Sequence, residues 1–180
     1  SRYPLVMRNR YLLTLTFLLV ALGVKAQSGK LYTVDRELSS SLINDIYQDH
    51  NQLIWIATED GLNRYDGSKF TIYKREDGNE NSLLNNYVRV VYEDSRRNLL
   101  IGFFNGLQSY DYATDTFRKI PILLEGGYEY GSHVLTIMER KNGDVLIGTS
   151  GQGLLLLKGE ADNLYAERIA NLDIPSNYIH

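Results

Sequence analysis

Asp49-His-Asn-Gln-Leu-Ile-Trp-Ile-Ala-Thr-Glu-Asp-Gly-Leu-Asn-Arg-Tyr-Asp66 decides how this chain folds. Leu53 to Thr58 is a short run of β-branched and aromatic side chains, suited to a pleated, half-buried strand. Glu59-Asp60-Gly61 breaks that run, and Gly61 to Asp66 reads as the strand that follows. Asp66-Gly67 is a tight-hairpin signal, because glycine supplies the positive φ such turns need. Beyond it, Lys69 to Tyr73 alternates Phe70 and Ile72 with Thr71 and Tyr73, and upstream Asn44 to Asp49 provides one more strand. No amphipathic helix of 10–15 residues separates these runs, which disfavours an alternating α/β fold.

The same order occurs twice more. Val91-Tyr-Glu-Asp94, Asn98-Leu-Leu-Ile-Gly102 and Gly106-Leu-Gln-Ser-Tyr-Asp111 lead to Phe117; Ile137-Met-Glu-Arg140, Asp144-Val-Leu-Ile-Gly148 and Gly153-Leu-Leu-Leu-Leu157 lead to Tyr165. Trp55, Leu100 and Leu146 recur at intervals of 45 and 46 residues. A period near 45 carrying four short strands is that of a β-propeller blade. The expectation is an all-β fold of four-stranded antiparallel blades, about three of them: 38–81, 82–130 and 131–173. Residues 27–37 read as the outer strand of a closing blade, and 174–180 as the start of a fourth. A propeller closes with at least ~4 blades, so a longer chain is expected.

The chain has 180 residues, no cysteine, and a formal net charge of −3. Without cysteine there is no disulfide framework, thiolate metal site or cysteine nucleophile. The acidic balance argues against a nucleic-acid surface, and 43% apolar composition against a disordered chain. Residues 1–26 are of another kind. Arg8 and Arg10 precede an apolar run from Tyr11 to Val24, and Val24 and Ala26 stand at −3 and −1 of a cleavage site, the order of a secretory signal peptide. Met7 is a candidate start. The run is short for a membrane span, which needs ~20 residues. Cleavage would leave 15 basic against 22 acidic residues, a net of −7.

The stretch from Asp49 to Asp66 resembles the repeat of two-component-regulator propellers. The second copy is also close; the third matches through Leu146-Ile-Gly-Thr149 and Gly153-Leu154 but has Leu157 and Lys158 where the repeat has Tyr and Asp. The resemblance covers roughly residues 38–180. It implies the N-terminal periplasmic sensor region of a hybrid two-component histidine kinase and response regulator that detects oligosaccharides and controls transcription of polysaccharide-utilisation genes. It further implies more blades, a downstream membrane span, kinase, receiver and DNA-binding domains, and a homodimer of the whole protein. An inner-membrane protein with an exported sensor region is the matching localisation. A secreted carbohydrate-binding or carbohydrate-active propeller without a kinase is the alternative reading.

Catalysis within the segment finds little support. Three isolated histidines lack metal-ligand spacing, no glycine-rich loop opens a helix, and no cofactor is expected. Glu59-Asp60 and Glu93-Asp94 could mimic a glycosidase pair, which needs carboxylates about 5–10 Å apart, but Asp94 repeats Asp49 at a turn, where aspartate caps its own backbone. His50 reads as a solvated turn residue. Ligand binding is better supported. Residues entering a blade's first strand (Asn44, Asn86, Tyr87, Arg89, His133, Asn177) and those joining second to third strand (Glu59, Asp60, Asn63, Phe103, Phe104, Asn105, Ser150, Gln152) would ring the channel mouth. Phe103 and Phe104 point to opposite faces, and Phe103 reads as packing between blades. The candidate ligand-binding residues are Asn86, Tyr87, Arg89, Phe104, Asn105, Glu59, Asp60 and His133: an aromatic face beside hydrogen-bonding groups suits a sugar ring.

Overall fold

The computed structural model describes residues 37–124 and 127–169. Within them the chain forms three consecutive sheets. The first contains β1 (Ile43–Gln48), β2 (Ile54–Thr58), β3 (Gly61–Tyr65) and β4 (Phe70–Tyr73), antiparallel and in chain order. The second repeats this with β5 (Val88–Glu93), β6 (Leu99–Phe103), β7 (Gly106–Asp111) and β8 (Thr116–Ile120). After the short β9 (Ile122–Leu123), the third sheet contains β10 (His133–Glu139), β11 (Val145–Ser150), β12 (Leu154–Lys158) and β13 (Tyr165–Arg168). This is the expected all-β architecture of four-stranded antiparallel blades. The leader over 1–26, the strand over 27–37 up to Arg36, and the new blade over 174–180 lie outside the described residues.

The third sheet has a fifth strand: β9 pairs in parallel with β13, Ile122 opposite Ala166. Part of the stretch 82–130 therefore hydrogen-bonds into the third sheet and not the second.

Turn chemistry trims the first repeat's strands. Asp49 Oδ1 accepts the N–H groups of Asn51 and Leu53, both at 2.9 Å, so the β1–β2 turn is closed by a side chain. Asp94 Oδ1 does the same for Asn98, at 2.8 Å. Asp66 Oδ1 accepts from Ser68 and Lys69, with Gly67 at φ +94°. Those bonds, largest first from the Lys69 and Ser68 donors, hold the Asp66 carboxyl down at about 2.

Two cores lie between the sheets. Trp55, Ala57, Leu62, Val88, Val91, Leu99, Ile101, Phe103, Tyr110 and Phe117 fill the first interface, between the first and second sheets. Leu100, Leu107, Val134, Ile137, Val145, Ile147 and Leu155 fill the second, with Ile122, Leu164 and Ala166. Alternation along β6 accounts for the division: Leu99, Ile101 and Phe103 face one way, while Leu100 faces the other. Gly102 shares that second face, and a Cβ there would come within 2.6 Å of Val134 Cγ1 and Val90 Cγ1. A strand buried on both faces reads as a continuous apolar run, and β6 does.

Candidate functional site

Each first strand carries a bulge at the same register position, between Ile43 and Asp45, Val88 and Val90, and Val134 and Thr136. The extra residues are Asn44, Arg89 and Leu135. An inserted residue reverses the alternation, so residues three apart share a face: Val88 with Val91, and Val134 with Ile137, each pair in one core. Bulges also re-aim side chains, and Asn44, Arg89 and Leu135 line one cavity of about 340 Å³ beside Asp45, Tyr47 and Tyr92.

Polar groups of the first strand stitch this region to the second sheet. Asn44 Nδ2 donates to the Val88 carbonyl at 2.8 Å, and Asp45 Oδ2 accepts the Val91 N–H at 2.9 Å. Tyr47 OH donates to the Glu93 carbonyl at 3.2 Å.

The predicted site residues separate into two groups. Phe104 and His133 come together, and the Arg89 charge acts on that imidazole. Phe104 is 61% exposed, as alternation with buried Phe103 requires, and its ring centroid is 4.9 Å from that of His133. His133 is half-buried, and burial first, then the Arg89 charge, push its imidazole below the ordinary value, so it is neutral at pH 7. Asn105 follows Phe104, is exposed, and lines a smaller cavity with Tyr130 and Glu129.

Glu59, Asp60 and Asn86 form the other group. Lys74 Nζ is 2.6 Å from Asp60 Oδ2, and Asn86 Nδ2 donates to Asp60 Oδ1 at 3.3 Å. Asn86 also accepts the Arg75 N–H on its side-chain oxygen and the Gly61 N–H on its carbonyl, both at 2.7 Å. Its amide is thus committed to holding the β2–β3 turn against the connection into β5. The Glu59 N–H donates to the Leu42 carbonyl at 3.1 Å, and the Tyr87 N–H to Asn85 Oδ1 at 2.9 Å.

Two readings of polar residues change. Asn63, expected at the channel mouth, is fully buried: its Oδ1 accepts the Ser39 N–H at 2.9 Å, as Gln108 Oε1 accepts the Leu84 N–H at 2.8 Å one repeat later. A buried backbone donor costs several kcal/mol unless paired, and in these two repeats an amide side chain supplies the partner. His50 is not merely a solvated turn residue: its Nδ1 is 2.9 Å from Glu93 Oε1, and its N–H donates to Glu93 Oε2 at 3.3 Å. In the next repeat the Ser95 N–H donates to Glu139 Oε2 at 2.8 Å, so one clasp recurs between consecutive blades. Phe103 is in the core, and Asn177 lies outside the described residues.

Three of the four carboxylates considered for glycosidase chemistry are engaged elsewhere. Asp94 closes its turn and pairs with Arg96, Glu93 holds His50, and Asp60 is tied to Lys74. Sequence reading missed two exposed aromatics, Tyr128 and Tyr130, in the connection to β10. Gly126-Gly-Tyr-Glu-Tyr-Gly131, glycine-bounded and alternating in tyrosine, is the signal that could have marked them.

What these observations define is an array of propeller blades with a hydrogen-bonding and aromatic rim. Residues 37–60 match the model of the two component regulator propeller family. A region of the chain is 37% identical over 71 residues to Histidine kinase P4 of Formosa agariphila, covering 37% of this chain and 5% of that protein. Two solved structures from B. thetaiotaomicron share the fold. One is the extracellular domain of the hybrid two component system BT3049 (22% identity, TM-score 0.57, 78% of this chain and 19% of that one). The other is the extracellular domain of BT4673 (20% identity, TM-score 0.61, 79% and 21%). The chain thus spans about a fifth of those structures and a twentieth of the kinase.

Proposed function

We propose that this chain is part of the periplasmic sensor region of a hybrid two-component kinase and that it detects an oligosaccharide released from a polysaccharide. The occupied sensor then controls transcription of the genes that use that polysaccharide. Export by the leader over 1–26, further blades, and a downstream membrane span and kinase belong to the same reading, as does signalling as a homodimer.

The observation that carries it is the rim. Phe104 stands exposed at a position where the first repeat has Glu59 and the third Ser150, next to the half-buried imidazole of His133 and the amide of Asn105. An aromatic face is kept out of a core only at a cost in buried area, and a sugar ring recovers it: apolar C–H groups lie on the ring while hydroxyls meet the surrounding polar groups.

Calorimetric titration of the full chain with oligosaccharides from partial polysaccharide digests tests this. Phe104→Ala should weaken binding by about 0.5–1.5 kcal/mol, the size of one ring contact, and should blunt transcription of the responsive genes in cells grown on the same polysaccharide. Binding without any transcriptional response would remove the sensor reading. Unchanged binding in the variant would remove the rim.

A further inference from the structure

Among the described residues, the guanidinium of Arg89 has no carboxylate partner. Arg89 is the residue inserted by the β5 bulge, half-buried against the cavity of about 340 Å³. Arg64, Arg75, Arg96, Arg118 and Arg140 all pair with aspartates. The carboxylate that lines the same cavity, Asp45, already holds backbone: its Oδ1 accepts the Ile46 N–H and its Oδ2 the Val91 N–H, each at 2.9 Å. Asn44 at the equivalent bulge of the first sheet spends its side chain on the Val88 carbonyl, and Leu135 at that of the third is apolar. Three equivalent positions thus carry one stitch, one apolar group and one free guanidinium.

A guanidinium presents five donors in a planar fork that matches the two oxygens of a carboxylate or sulfate. A half-buried one without a counter-ion loses hydration without compensation, and that loss is recovered when an anion arrives. His133, whose imidazole feels the Arg89 charge, is neutral and can accept or donate a hydrogen bond without adding charge.

We propose that Arg89 receives the acidic substituent of a bound oligosaccharide, a uronate carboxylate or a sulfate ester, while a sugar ring of that ligand lies on Phe104. This rests on the sugar-binding rim above and narrows its ligand to acidic glycans.

The test is a panel of uronate-containing, sulfated and neutral oligosaccharides, titrated against the full chain, Arg89→Gln and Arg89→Lys. Binding should be confined to acidic members, and the uronate and sulfated arms identify which group is read. Arg89→Gln should lose about tenfold to a hundredfold in affinity, the size of a charge-assisted hydrogen-bonding pair, and Arg89→Lys less, since it keeps the charge but not the fork. Neutral oligosaccharides bound as well as acidic ones, with Arg89→Gln unchanged, overturn the assignment and leave the sugar-binding rim standing. Equal losses in the lysine and glutamine variants also overturn it. Failure of the whole panel removes the rim reading and this one with it.

Discussion

The two inter-sheet interfaces occupy the same positions of the same repeat and are sealed by different chemistry. The first is aromatic and polar. Trp55 packs edge-on against Tyr110 at 4.8 Å, Tyr73 meets Phe117 at 5.2 Å, and the Arg64 guanidinium lies 5.4 Å from the Tyr73 ring. Tyr112 OH reaches Asp49 Oδ2 at 2.8 Å, the oxygen that also accepts from Trp55 Nε1 at 2.7 Å. The second interface is aliphatic, built of Leu100, Leu107, Ile147, Leu155 and their neighbours. What is fixed by the repeat is the strand register and the bulge. What fills the gap is free to vary, provided volume and polar pairing are met.

The sharpest way to break that comparison is at Trp55, which is fully buried and contributes to both the packing and the polar side of the first interface. Trp55→Ala should cost about 3–5 kcal/mol, the range for large aromatic truncations, with the added loss of a donor to Asp49. Urea denaturation of the full chain measures it against Leu107→Ala in the second interface, expected at about 2–5 kcal/mol. If the leucine proves the costlier of the two, the aromatic interface is not the tighter seal.

The next effect belongs to the second interface. Gly102 faces Val134, whereas the first sheet has Ala57 at the corresponding position, buried against the second sheet. Gly102→Ala should destabilise by about 1–3 kcal/mol through overpacking. Val134→Ala should hurt less in that background than in the wild type, because it removes the methyl met at 2.6 Å. Strict additivity in the double mutant would show that the close approach is relieved by backbone shift.

The sequence carried the blade count and the strand order because both depend on local signals: glycine at turns, aspartate after first strands, and period-2 runs. It also carried the split between Phe103 and Phe104, a consequence of alternation alone. It did not carry the partners of Asn63 or His50, because those lie 24 and 43 residues away and a polar side chain looks the same whether it faces water or a buried N–H. The bulges were written in the spacing, since Ile43 and Ile46, Val88 and Val91, and Val134 and Ile137 each sit three apart. A plain alternating strand would put the members of each pair on opposite faces. Exposure shows what the spacing leaves open: Val91 and Ile137 are 2% and 6% exposed against neighbouring sheets, while Ile46 is 60% exposed. β9 was illegible because two residues after Pro121 carry no periodicity.

The smallest expected effect concerns the polar rim of the first interface. Asp115 Oδ1 accepts from Tyr73 OH and Tyr110 OH, both at 2.6 Å, and pairs with Arg64 at 3.2 Å. Burial would raise this carboxyl, but the two phenols and the guanidinium outweigh it and hold the group below its ordinary value. Burial chiefly, then the bond to Asp115, raises both phenols, Tyr110 to about 12. A carboxyl lowered in the folded state stabilises it above the unfolded value near pH ~4 and loses that contribution as pH falls through the folded one. The raised phenols act at the other end: their contribution is complete below pH ~10 and is lost as pH rises through their folded values. The Asp115 side chain is 53% exposed, so solvent screening limits the acid effect to about 1 kcal/mol or less. Asp115→Asn should therefore shift the acid-side midpoint of unfolding slightly while leaving the second interface's response to Gly102→Ala intact. If Asp115→Asn changes the cost of Gly102→Ala, the two interfaces are coupled through the second sheet, and the independence drawn from their different chemistry does not hold.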